Sequence, residues 1–163
     1  HGYRAFECDV KLSADGVPFL LHDATLERTT NGRGTAGDHP WGELARLDAG
    51  AWHSRAHAGE PVPTLENLAR FCIANGYFLN IEIKPTPGTE RHTGEVVARH
   101  AARLWAGQAI PPLLTSFQVD ALEGAGFIAR REVEGDRRRY SLVLTTAGRG
   151  MLERVRSDVP KQG

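Results

Sequence analysis

Three short stretches hold side chains whose types and spacing could bind a cation and move protons. In Ala5-Phe6-Glu7-Cys8-Asp9-Val10-Lys11-Leu12, apolar and polar residues alternate strictly from Phe6 onward. A strand there projects Glu7 and Asp9 from one face and turns Phe6, Cys8 and Val10 to the other, under helices. Asn80-Ile81-Glu82-Ile83-Lys84 repeats the arrangement, with Glu82 and Lys84 set between isoleucines. Charges interleaved with β-branched residues on a central strand are costly to bury unless paired or metal-bound. Two such strands in one barrel would converge three carboxylates and a lysine at one end. An oxygen-rich trio is what a hard divalent cation such as Mg²⁺ or Ca²⁺ requires, and a lysine beside it could neutralise a phosphate oxygen. His22 closes the run Leu20-Leu21-His22-Asp23, and an imidazole at a strand end could serve as general acid or base toward a phosphodiester.

Each signal alone has an ordinary explanation. Solvent-facing alternation produces Glu-x-Asp constantly, and Glu82-x-Lys84 reads equally well as a cross-strand ion pair. A single strand-end histidine is more often structural than catalytic. His1, His39, His53, His57, His92 and His100 read as loop or helix-surface residues.

The elements that must position these groups alternate between strand and helix up to about Phe117. Ser13 to Gly16 is a turn, and Val17 to Asp23 a second extended run. Ala24 to Pro63, rich in Gly, Thr, Asp and His, lacks strong periodicity beyond a short helical stretch at Trp41 to Leu47. Such a segment reads as an excursion over a scaffold. Thr64 opens an amphipathic helix that ends near Asn75-Gly76. Tyr77 to Lys84 is a strand, Thr93 to Ala106 a helix, and Leu113 to Phe117 a further strand. The alternation predicts an α/β fold with a parallel sheet, a partial TIM-type (β/α) barrel of about four strands. After a short helix at Val119 to Ala125, two alternating runs, Phe127 to Val133 and Arg139 to Leu144, flank the charged turn Glu134 to Arg138 as a β-hairpin. Thr146 to Val159 reads as a terminal helix. The expected domains are residues 1–118, with 24–63 inserted, and residues 119–163.

Bulk composition sets outer bounds. The 163 residues are 40% hydrophobic and 25% charged with zero formal net charge, ordinary for a globular chain. That balance gives no support to nucleic-acid binding by the chain as a whole. From Ala121 onward nine Lys or Arg face six Asp or Glu, so the tail is +3 and the remainder −3. Cys8 and Cys72 have no pairing spacing and read as buried thiols in a reducing cytoplasm. No apolar run approaches the ~18 residues that span a bilayer, so no membrane is expected as partner. Oligomeric state is not legible.

The ordered motifs identify a family likeness. Glu7-Cys8-Asp9-Val10-Lys11-Leu12-Ser13-x-Asp15-Gly16-Val17-Pro18 is followed by Leu21-His22-Asp23-Ala24-Thr25-Leu26-Glu27-Arg28-Thr29-Thr30-Asn31-Gly32. Then come Leu44-x-x-Leu47-Asp48-Ala49-Gly50-x-Trp52, Gly59-Glu60-x-Val62-Pro63-Thr64-Leu65, Asn80 to Lys84 and Pro111 to Phe117. Together they resemble the glycerophosphodiester phosphodiesterase family, in particular its bacterial cytoplasmic type, over residues 1 to about 123. The resemblance implies a TIM-type barrel with an excursion after the histidine-bearing strand. It implies Glu7, Asp9 and Glu82 as ligands of Mg²⁺ or Ca²⁺, His22 as one of two catalytic histidines, and Lys84 as a phosphate or metal-site partner. The substrate would be a glycerophosphodiester, cleaved to glycerol 3-phosphate and an alcohol.

This sequence departs from the family pattern at both ends. The family's His-Arg-Gly strand and Glu-Asn-Thr helix start are absent, and His1, six residues before Glu7, is no substitute. The family also carries three more strand–helix units beyond Phe117. In their place, Val119 to Arg131 resembles the end of a recognition helix and the first wing strand of MarR-type winged-helix regulators, and Asp136 to Arg149 their wing and following helix. That likeness places minor-groove contact on Asp136, Arg137 and Arg138. With most of a winged-helix domain missing, sequence-specific DNA binding is not expected. The competing expectation to an enzyme is an inactive fusion or gene remnant.

Overall fold

The computed structural model describes residues 2–133, 136–150 and 153. The fold is an open piece of a (β/α) barrel: a four-stranded sheet with inserted helices, followed by a separate antiparallel hairpin and helical residues. Strand β1 (Ala5–Leu12) lies at its centre beside β3 (Phe78–Ile83), the two running parallel, and β4 (Leu113–Thr115) extends the sheet beyond β3 in the same sense. The second strand, β2 (Pro18–Leu20), flanks β1 on the other side and runs antiparallel, pairing Val10 with Leu20 and Leu12 with Pro18.

That polarity corrects the barrel-like alternation expected for the first two strands. A parallel return needs a crossover of a dozen or more residues, whereas a tight turn joins antiparallel neighbours. Here the link is Ser13 to Val17: Ser13 Oγ donates to Asp15 at 2.6 Å and Gly16 adopts φ +81°. β2 is also shorter than the predicted run, so His22 sits in a bend just past it rather than on it.

Helix α1 (Trp41–Leu44) lies within the excursion, and α2 (Leu65–Asn75) follows it. The start and stop of α2 match the sequence signals. Thr64 accepts a hydrogen bond from the Asn67 amide at 3.1 Å, and Gly76 terminates the helix at φ 65°, a left-handed cap that glycine adopts without strain. Helix α3 (Glu90–Leu104) starts three residues earlier than predicted, with Glu90 accepting the Gly88 amide. Helix α4 (Val119–Gly124) crosses it closely. Side chains at Gly94 and Gly124 would collide with the carbonyls of Ala121 and Arg91, so two glycines set that approach.

The apolar face of the sheet (Cys8, Val10, Ile81, Ile83, Leu114) packs under Leu65, Ala69, Cys72, Val97 and Ala121 of the helices. Ile81, Ile83 and Val97 are fully buried, each worth roughly 1.5–3 kcal/mol. Phe6 departs from its expected burial under helices. It is 42% exposed and meets Tyr77, with ring centroids 5.1 Å apart.

Residues 24–63 form more than a loop. Leu26, Ala36, Leu44 and Val62 join Phe19 and Leu21 in a second small core. Asp48 holds the segment's far end by accepting amides from Gly50, Ala51 and Gly59 at 2.8–2.9 Å.

Beyond α4, β5 (Ile128–Val133) and β6 (Asp136–Leu144) form a two-stranded sheet with a bulge at Glu132/Val133. β6 begins at Asp136, so the backbones of Arg137 and Arg138 lie in the strand and not in the predicted turn. The connecting residues 134 and 135 lie outside the described residues, as does most of the predicted terminal helix, of which 146–150 and 153 are helical. Among the described residues no helix is long and apolar enough to cross a membrane.

Candidate metal centre

The register of β1 against β3 pairs Asp9 with Glu82 and Glu7 with Asn80. Because side chains alternate, Glu7, Asp9 and Glu82 all leave the face opposite the apolar core. Each offers one carboxylate oxygen within 4.8 Å of the others, the one such acidic or histidine-containing cluster among the described residues. Two ligands of one ion can be no farther apart than twice the metal–oxygen distance, about 4.2 Å for Mg²⁺ and up to about 5.2 Å for Ca²⁺. The all-oxygen donor set suits either ion, and the spacing lies inside the Ca²⁺ limit.

Lys84 joins the cluster from the end of β3. Its Nζ lies 3.3 Å from Asp9 Oδ1 and 3.4 Å from Glu82 Oε1, and all three side chains are about one-fifth exposed. The Lys84 amide donates to the Val10 carbonyl at 2.9 Å, which continues the β1–β3 ladder one residue past the strand. One ammonium among three carboxylates leaves an excess of negative charge. Burial, then Asp9 and Glu82, push the Glu7 carboxyl above its usual range, with Lys84 and His22 opposing.

His22 reaches the same place from the bend after β2. It lines a pocket of about 250 Å³ with Lys11, Glu82, Lys84, Ser116 and Phe117. Its ring is anchored: Nδ1 lies 2.8 Å from Asp23 Oδ1. An ionised carboxylate only accepts, so Nδ1 carries the proton of that bond and Nε2 is left for other work. Asp23 is itself gripped by Arg28, whose Nη2 donates to Oδ1 at 2.9 Å and whose Nε donates to Oδ2. These bonds, Arg28 first and His22 second, hold the Asp23 carboxyl well below the usual carboxylate range.

Four side chains at this site escaped the sequence reading. Lys11 continues the Glu7–Asp9 alternation onto the same face and is 4% exposed, with Nζ donating to the Lys84 carbonyl at 3.3 Å. Burial, then Lys84, push its ammonium pKa down. Strand periodicity alone would have found it. Asp23 and Arg28 stand five apart in a non-periodic segment, where no spacing rule links them. Ser116 donates to the Ile83 carbonyl at 2.7 Å and ties the end of β4 to β3 beside the pocket. The side chains of Arg137 and Arg138 lie outside the described residues.

A model of the glycerophosphoryl diester phosphodiesterase family matches residues 1–155. That match runs through the hairpin, across much of the segment expected from the sequence to be winged-helix-like, and it gives that expectation no support. Among curated proteins, a glycerophosphodiester phosphodiesterase of Caldanaerobacter subterraneus is 40% identical over 83 residues, covering 51% of this chain and 34% of its own length. Among solved structures, an Oleispira antarctica phosphodiesterase in complex with the product sn-glycerol-3-phosphate superposes with TM-score 0.68 and 36% identity, covering 76% of this chain and 50% of the other. A glycerophosphodiester phosphodiesterase from Agrobacterium tumefaciens gives TM-score 0.65 and 32% identity, covering 76% and 49%. The chain thus spans about half the length of those structures, and 34% of the Caldanaerobacter protein.

Proposed function

The chain belongs to the glycerophosphoryl diester phosphodiesterase family, and from that premise we propose a metal-dependent hydrolase site that cleaves a glycerophosphodiester to glycerol 3-phosphate and an alcohol. The observation that carries the reading is the gathering of Glu7, Asp9, Glu82, Lys84 and His22 around one side of the sheet. Glu7, Asp9 and Glu82 hold the cation. Bound there, Mg²⁺ or Ca²⁺ supplies Lewis-acid polarisation of a phosphoryl oxygen.

The chain's own groups do the rest. Lys84, already between Asp9 and Glu82, orients their oxygens and offers an ammonium proton to the phosphate. His22 moves the proton, with Nε2 as the exchanging atom because Asp23 occupies Nδ1. Arg28 fixes Asp23 and thereby the ring. The relative solved in complex with the product sn-glycerol-3-phosphate supports the choice of substrate class. Cytoplasmic residence fits two buried free thiols.

The second reading, a catalytically silent fusion or remnant, draws on the residue pattern beyond Phe117 and on the outer strands β2 and β4, which among the described residues each pair on one side only. The division at residues 118/119 is likewise a proposal. The separate β5–β6 sheet favours it, whereas Ala121 of α4 is buried in the main core. A winged-helix role for 119–163, with DNA contact through Arg137 and Arg138, rests on the residue pattern alone.

Turnover of glycerophosphocholine in Mg²⁺ or Ca²⁺ decides between the first two readings. The enzyme reading expects activity that is lost on chelation and in both Glu82→Ala and His22→Ala. A folded chain with no turnover in either metal establishes the silent reading.

A further inference from the structure

Lys11 is a charged side chain at 4% exposure, and no carboxylate lies within 4.0 Å of it among the described residues. Among the described residues its ammonium donates to a neutral acceptor, the Lys84 carbonyl, at 3.3 Å. An ammonium has three donors, and buried charges are ordinarily paired with an opposite charge. Lys84 has such partners in Asp9 and Glu82. The two lysines line the same pocket; Asp9 and Asp23 attract Lys11 from a distance, yet among the described residues only Lys84 has carboxylates in ion-pair range.

From this we infer that Lys11 is a second phosphate anchor, an ammonium held ready on β1 whose counter-ion is the anionic ligand of the pocket. The assignment rests on the phosphodiester reading of the site. Lys84 balances the carboxylates, and Lys11, two positions beyond Asp9 on the same face, meets the phosphate from the floor of the pocket. The alternative is a purely structural strut, in which Lys11 braces the ends of β1 and β3 through the Lys84 carbonyl and never touches a ligand.

Inorganic phosphate, titrated into the full chain with Mg²⁺ present, separates these. With ¹³Cε-labelled lysine, the Lys11 ε-CH₂ resonance shifts saturably as phosphate binds, a response that a strut does not give. In Lys11→Met, which keeps the length and removes the charge, phosphate affinity falls at least about tenfold while Mg²⁺ affinity changes less than about twofold. An unmoved Lys11 resonance in the wild-type chain overturns the inference even if the variant does not fold. Unchanged phosphate affinity in folded Lys11→Met overturns it as well. The phosphodiester reading fails separately, if Glu82→Gln leaves Mg²⁺ affinity unaltered.

Discussion

Replacing Glu82 by Gln should make the metal-free chain more stable and the metal-loaded chain less so. Glu82 faces two carboxylates, each with an oxygen within 4.8 Å. At an effective dielectric of about 20, each repulsion amounts to about 3.5 kcal/mol. The attraction of Lys84, 3.4 Å away, comes to about 5 kcal/mol on the same basis. Two repulsions against one attraction leave Glu82 net repelled by about 2 kcal/mol, and solvent around the exposed Glu7 reduces this to about 1 kcal/mol. Gln keeps the shape and removes the charge. In EDTA the variant should therefore melt about 2–4 °C higher than the wild type. Saturating Mg²⁺ reverses the order, because binding at a hundredfold excess over Kd adds about 2.7 kcal/mol to the wild-type chain alone. Paired thermal melts in EDTA and in Mg²⁺ read both signs. A variant that melts lower in EDTA, or equal Mg²⁺ shifts in the two chains, would falsify the electrostatic account of the cluster.

The Glu7 carboxyl is raised above its ordinary value of 4.5, so its contribution to stability is present below that value. It is lost as pH climbs through the raised one. Melts of the metal-free chain should fall over that window, and calorimetric Mg²⁺ affinity should rise over it. Asp23 runs the other way: its contribution, present above pH ~3.8, disappears as pH falls below it, and Asp23→Asn should remove that acid limb. Asp23→Asn should also abolish the preference of the neutral His22 ring for a proton on Nδ1, read from long-range ¹⁵N–¹H couplings. Gly94→Ala should cost about 1–3 kcal/mol of stability in chemical denaturation, because its methyl meets the backbone of α4; Gly150→Ala, with open space around it, should not.

What the sequence revealed here follows from how local each signal is. Glu7, Asp9 and Glu82 were legible because two-residue alternation fixes the face of a strand without knowledge of its partners. The α2 boundaries were legible because Thr64 and Gly76 act within one turn. The polarity of β2 was not read, since an extended run looks alike in either direction and only the short Ser13 to Val17 link decides it. Lys11 was overlooked although the same alternation places it with Asp9: a lysine near a strand end ordinarily reaches solvent, and its burial depends on what β3 and the pocket put above it. The Arg28–Asp23–His22 chain depends on the bend after β2, a tertiary feature with no period. Phe6 was misjudged because facing a core does not guarantee being covered by one at the strand's outer end.

The short strand β2 also closes a neck. The Leu20 amide donates to the Pro63 carbonyl at 2.9 Å, and Phe19 bridges to Thr64, so the chain leaves the sheet and returns to it at nearly one point. With the ends already clasped, lengthening or shortening the segment between them changes closure entropy only logarithmically, about 0.6 kcal/mol per doubling. The excursion is in that sense an interchangeable cassette. His22, Asp23 and Arg28 ride at its entrance, so the far portion around Asp48 could diverge freely in length while the imidazole stays where β1 and β2 have set it.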